Sequence, residues 1–102
     1  MGDLAGLLAA VDGFDWDEHD SVKIWTKHAV STAECEEVLL GAPRVVGDEP
    51  HAGAERRFAA FGETSTGRRL AVVFTLRGTR LRVITARDPS RRERRELDHG
   101  AT

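Results

Sequence analysis

Apolar residues recur near the start of the chain at Leu4, Leu7, Leu8 and Val11, the i, i+3, i+4, i+7 spacing of one helix face, and Gly13 follows. The spacing predicts a short helix within residues 3–11 that must dock on a larger body, because isolated helices of this length do not hold in water. "FDWD" then alternates, with Phe14 and Trp16 on one side and two aspartates on the other, and predicts an edge strand. Asp17 can cap a helix over residues 18–28, with Glu18 and Asp20 in its first turn and Lys27 and His28 in its last, the order that suits the helix dipole. A second helix from about Thr32 to Leu40 carries a full start signal: Ser31 as N-cap, Glu34 three residues later, and Val30 against Cys35 as a hydrophobic staple. Gly41 and Pro43 end it.

After "RVV" and the breaker-rich "GDEPHAGAE", the period changes from helical to alternating. "RRFAAFGE", "RRLAVVFTL" and "TRLRVITAR" are three strand-like runs joined by "TSTG" and "RG" turns, which predicts an antiparallel meander. In "RDPSRRERREL", Asp88 reads as an N-cap with Pro89 at the first helical position, so a third main helix closes the chain. The predicted architecture is α+β, an antiparallel sheet with helices gathered on one face and a C-terminal helix. With 102 residues and 40% hydrophobic content, the chain builds one modest core. Residues 1–13 read as an N-terminal extension, 14–97 as a single domain and 98–102 as a tail.

Charge changes the picture. The formal net charge of −2 hides two halves: residues 1–54 hold three cations against eleven acids, a net of −8, while residues 55–102 hold twelve arginines against six acids, a net of +6. Asn, Gln and Tyr are absent and arginine almost replaces lysine, a bias that GC-rich coding explains; the position of the arginines relative to the acids is a separate matter. On the last strand Arg80 and Arg82 share the face opposite Leu81 and Val83, Arg77 feeds that strand and Arg87 leaves it. Four guanidiniums on one ribbon can meet successive phosphates, each forking onto phosphate oxygens, which points to a nucleic-acid backbone. The plainer alternative is that they pair with the acids of the front half and hold helices to sheet.

Other chemistry is thinner. Of the histidines His19, His28, His51 and His99, only His28 sits at a helix end beside another cation, and histidine carries protons near neutral pH. Trp16 and Trp25 read first as core, with stacking on a base as the functional option. Asp15, Asp17 and Asp20 are close in sequence, but nothing else completes a metal site, so none is predicted. The lone Cys35 forms no internal disulfide and fits a reducing cytoplasm as a buried thiol. The opening "MGDLAGLLAAVDG" lacks a basic leader and is too short to span a bilayer, so a soluble cytoplasmic chain with no membrane association is expected.

"FDWDEHDSVKIWTKHAV" followed by "ERRFAAFGETSTGRRLAVVFTLRGTRLRVITARDPSRRERREL" closely resembles the BrnT family of bacterial type II toxins, small ribonucleases paired with BrnA antitoxins. The resemblance runs from about Phe14 to Leu97. It is carried by Trp16–Asp17, Lys27–His28 with Val30, Glu55 and Arg57, Gly62, the run from Thr75 to Arg87, and Glu93. It implies a RelE-like fold and metal-independent RNA cleavage without a cofactor, in which a ribose 2′-OH attacks the adjacent phosphate. Arg77, Arg82 and Arg87 would then clamp the charge on phosphorus, and His28, Lys27 and Glu55 are the candidates for proton transfer. Trp16, Arg57 and Arg80 complete the expected RNA contacts. Many relatives carry Lys and Asn where this chain has Asp20 and Ile24, and Gly where it has Ala29. The implied partners are an RNA substrate and a BrnA-like antitoxin, with a homodimer or a heterotetramer left open. The alternative from another class is an interaction module that keeps the partner-binding face and does not cut.

Overall fold

The computed structural model describes residues 6–47 and 56–100. In chain order the elements are α1 (Gly6–Ala9), β1 (Gly13–Phe14), α2 (Glu18–His28), α3 (Thr32–Leu40), β2 (Arg44–Gly47), β3 (Phe58–Glu63), β4 (Arg69–Arg77), β5 (Arg80–Arg87) and α4 (Arg91–Gly100). They form an α+β fold around one five-stranded sheet of order β1-β5-β4-β3-β2.

The two central helices form where their caps place them. The Asp17 carboxylate accepts the His19 N–H at 2.8 Å, opening α2. Ser31 Oγ accepts the Glu34 N–H at 3.1 Å while the Ser31 N–H donates to Glu34 Oε1 at 3.0 Å, a closed capping box that opens α3. Ala29, in the left-handed region at φ 53°, ends α2, and Gly41 caps α3. α4 departs from expectation at its start: Ser90, not Asp88, is the cap, giving its N–H to Glu93 Oε1 at 2.8 Å and accepting the Glu93 N–H at 3.1 Å. The same Ser-x-x-Glu spacing that opens α3 outcompetes Asp-Pro here, because it satisfies two N–H groups at once. α1 is a single turn inside the predicted 3–11 span, of which residues 3–5 lie outside the described residues.

β2 to β5 pair antiparallel in sequence order. The edge strand differs: β1 pairs parallel to β5, Gly13 with Arg80 and Phe14 with Leu81, so the sheet is mixed. Between β4 and β5 the chain turns through Gly78 at φ 64° and Thr79. The β4–β5 ladder is broken once, where Val73 faces Thr85 and Phe74 faces Val83, leaving Ile84 as an extra residue on β5.

One face of the sheet, with Phe58, Ala60, Leu70, Val72, Phe74, Leu81, Val83 and Ala86, is the core, closed by Ile24 of α2 and Cys35, Val38 and Leu39 of α3. Gly62 favours this closure, since a Cβ there would stand tightly, 3.2 Å from Val38 Cγ1 and 3.4 Å from Pro43 Cβ. Leu7, Leu8 and Val11 of the N-terminal segment pack against the same core. Cys35 is fully buried, and burial pushes its thiol up to about 12, which leaves it unreactive at neutral pH.

Candidate nucleic-acid interface

Residues that face each other across an antiparallel ladder point to the same side of the sheet. Arg77 faces Arg80, Thr75 faces Arg82 and Ala71 faces Arg87, so all four arginines stand on the face opposite the core. Arg87 joins them only because of the bulge. Strict alternation from Arg80 and Arg82 would turn residue 87 inward; the extra residue at Ile84 inverts the phase, keeping Ala86 buried and Arg87 outward.

Each of these guanidiniums is held by the structure around it. Arg80 reaches over the edge strand and donates from Nη2 to the Phe14 carbonyl at 2.7 Å, and Gly13 makes room, because a Cβ there would lie 2.9 Å from Arg80 Nη1. Arg82 Nη2 meets Asp17 Oδ2 at 3.1 Å and Asp20 Oδ2 at 3.3 Å, both from the acidic front half. For Arg82 the pairing alternative is therefore what the resting structure contains. Arg87 forks onto Glu93, Nη1 to Oε1 at 2.7 Å and Nη2 to Oε2 at 3.1 Å. Asp17 and Asp20 thus meet a guanidinium. Among the described residues no group of three His, Cys, Asp or Glu side chains gathers as a metal site.

The Arg87 fork, followed by the Ser90 N–H, holds the Glu93 carboxyl down at about 2 from its ordinary 4.5. The folded value lies below the unfolded one, so this contact stabilises fully above about pH 4.5 and is lost as the pH falls toward 2. Thermal melts of the wild type and Glu93→Gln should differ at neutral pH and converge toward pH 2. A gap that stays constant with pH would sink this account.

α2 runs alongside β5. Its first turn touches Arg82 through Asp20, and its last carbonyls meet Arg68, which gives Nη1 to the Ala29 carbonyl at 2.8 Å and Nη2 to the His28 carbonyl at 3.1 Å. Arg68 also pairs with Glu34 at 3.3 Å and with Asp88, just past β5, at 3.5 Å. Nothing in the sequence singled it out, yet it joins the ends of α2 and β5 to the start of α3. The Glu34 carboxyl is held below its ordinary range chiefly by the Ser31 N–H, with Arg68 adding to it.

The expected catalytic set is thereby divided along the ribbon. Lys27 and His28 stand at the Arg87 end, Arg82 in the middle, and Arg77 and Arg80 at the hairpin roughly 20 Å from Arg87 at the strand rise of β5. Asp20, Lys23 and Lys27 are spaced i, i+3, i+7, so Lys27 is on the side of α2 that touches Arg82. His28 is half-buried and Lys27 exposed. Arg57 precedes β3, next to Arg56, whose guanidinium sits 5.0 Å over the Phe58 ring. Glu55 and His51 lie outside the described residues.

The two tryptophans differ in exposure. Trp16 packs against the core and gives its indole N–H to Glu36 Oε2 of α3 at 2.7 Å. Trp25, read first as core, is 59% exposed, because Ile24 takes the inward position and the next residue lies about 100° further around the helix. No helix among the described residues is long and apolar enough to cross a membrane.

A family model described as the ribonuclease toxin BrnT of type II toxin–antitoxin systems matches residues 16–93. The crystal structure of the Brucella abortus ribonuclease toxin BrnT is similar at 26% identity and a TM-score of 0.55, over 78% of this chain and 97% of that one. No curated protein matches.

Proposed function

Because the chain belongs to the BrnT family of ribonuclease toxins of type II toxin–antitoxin systems, we propose that it cuts RNA internally without a metal ion, on the outward arginine face of β4 and β5. The observation that carries this reading is that Arg82 and Arg87 stand on one face, fixed by carboxylates, with the end of α2 tied through Arg68, from the His28 carbonyl to Asp88, to the residue that follows Arg87. A carboxylate oxygen at 2.7–3.3 Å from a guanidinium marks where a phosphate oxygen can sit.

In the proposed reaction the ribose 2′-oxygen attacks phosphorus and the bond from phosphorus to the 5′-oxygen breaks. A base takes the 2′-proton and an acid returns a proton to the leaving oxygen, giving a 2′,3′-cyclic phosphate and a 5′-hydroxyl. Arg82 and Arg87 stabilise the charge that builds on the phosphoryl oxygens. His28 and Lys27 carry the proton transfers at that end of the ribbon, histidine being suited to both directions near neutral pH. Glu55 remains a further candidate by resemblance. The antitoxin, BrnA-like by resemblance, inhibits by covering the arginine face with an acidic surface that takes the place of the phosphates.

The ion pairs favour one second reading, an interaction module whose arginine face serves only the partner. Incubating the purified protein, without partner and with EDTA, on mixed cellular RNA separates the two. Cleavage leaving cyclic phosphate ends is expected; a folded sample that leaves the RNA intact would establish the module instead.

A further inference from the structure

The arginine row does not stop at Arg87. Arg69 stands two residues before Ala71, the partner of Arg87, so it shares the outward face and lies one ladder step, about 7 Å, further along. Beyond it opens a polar cleft of about 390 Å³, lined by Gly67, Arg68, Arg69, Asp88 and Arg94. None of these belongs to the expected catalytic or RNA-contacting set.

Resting on the ribonuclease reading, we propose that this cleft is a second phosphate-binding site, which takes a phosphodiester of the same RNA strand a few nucleotides along from the one that is cut.

Three guanidiniums and one carboxylate line the cleft, with Glu34 and Glu63 paired to Arg68 and Arg69 from outside it. Their parts differ. Arg68 is committed to the His28 and Ala29 carbonyls, Glu34 and Asp88, and forms a fixed wall. Arg69 meets Glu63 at 3.3 Å, but the two side chains are 39% and 55% exposed, a pair of little net worth that a phosphate can replace. Arg94 follows Glu93, which is fastened to both Arg87 and Ser90, and its own N–H bonds the Ser90 carbonyl at 2.9 Å. The first turn of α4 therefore presents Arg94 from the same anchor that fixes Arg87, which links the two phosphate positions mechanically. Gly67 lines the mouth at φ 87°, in a turn closed by its N–H to the Thr64 carbonyl at 2.9 Å. At this size the cleft admits a nucleotide, and the cluster of forked donors selects its phosphate.

The test uses 2′-O-methyl RNA, which binds but cannot be cut, as a trimer and a dodecamer. Anisotropy titrations over a series of salt concentrations compare the wild type with Arg94→Ala. Arg94 is exposed on α4, and a thermal melt verifies that the variant is folded. For the dodecamer the variant should bind about tenfold more weakly, with a salt slope shallower by about 0.7, the loss of one phosphate contact on a single strand. The trimer, too short to reach from Arg82 into the cleft, should be unaffected. Equal affinity and equal slope for both proteins on the dodecamer would overturn the site and leave the ribonuclease reading standing.

A parallel titration with inorganic phosphate, followed through the amide resonances of Gly67 and Arg94, does not depend on RNA. Saturable shifts there that vanish in Arg94→Ala support the site even if the wild type binds no RNA, in which case only the ribonuclease reading falls. Absence of such shifts in the wild type, together with no effect of Arg94→Ala on the dodecamer, disposes of the site.

Discussion

Arg82→Ala is expected to slow RNA cleavage by about two to three orders of magnitude, the usual cost of removing one preorganised donor from a developing oxyanion, while leaving the protein folded. Arg82 is central on the ribbon, between the hairpin arginines and the Arg87 end. Its loss acts twice. The guanidinium proposed to face the phosphate disappears, and Asp17 and Asp20, now unneutralised beside that position, should repel the RNA. The structural cost is modest: the Arg82 side chain is 25% exposed and its partners 41% and 20%, so solvent screens the pairs only in part and the stability change should be about 1–2 kcal/mol. Asp17 keeps its capping bond to the His19 N–H in either case. Arg82→Lys should recover part of the rate, because lysine restores the charge without the fork. Initial rates on a defined RNA, taken with thermal melts of both variants, check this. A folded Arg82→Ala protein that cuts within a few-fold of the wild type would move the reaction away from this face.

The same residue shows how far a sequence can be read. Arg80 and Arg82 share a face by alternation, which is local, and that expectation holds. What Arg82 touches depends on where α2 lands, sixty-odd residues earlier in the chain, and no local pattern encodes that distance. α2 and α3 are legible in the sequence because their caps are side chains bonding their own first turn. The start of α4 was legible too, in Ser90 and Glu93, but the Asp-Pro pair drew the reading two residues early. β1 is another kind of case. A two-residue strand has no periodicity, and its parallel pairing to β5 follows from the docking of α1 and from Arg80 bonding the Phe14 carbonyl. The bulge at Ile84 was invisible for a similar reason: "RVITAR" reads equally well in either phase, and only the partner strand decides it. Arg68 is the largest omission in the site, since four acceptors on three separate segments define it and each is remote in sequence.

Phe74 joins core to site at that bulge, and Phe74→Ala should be the most damaging single core substitution, costing about 3–5 kcal/mol. The side chain is fully buried and stacks on Phe58 with ring centroids 5.6 Å apart and planes 28° from parallel. Alanine would leave a cavity walled by Phe58, Val72 and Val83, and a sheet pinned by its ladders closes on such a void only in part. A domain of this size commands on the order of 5–15 kcal/mol in total, so the variant should be close to unfolding at 37 °C. Phe74 is also the last residue in register before the ladder shifts, facing Val83 while Val73 faces Thr85. The phase that turns Arg87 outward depends on Phe74 and Val83 staying locked in the core. Loss of the ring should therefore loosen the Arg87–Glu93 end of the ribbon more than the hairpin end. Urea denaturation tests the first effect, as a lowered midpoint at unchanged slope, and Phe74→Leu should recover much of it. Amide exchange tests the second: in Phe74→Leu, protection should fall more at Thr85 and Arg87 than at Arg80 and Leu81. Uniform loss along β5 would mean that the bulge is held by something other than this ring.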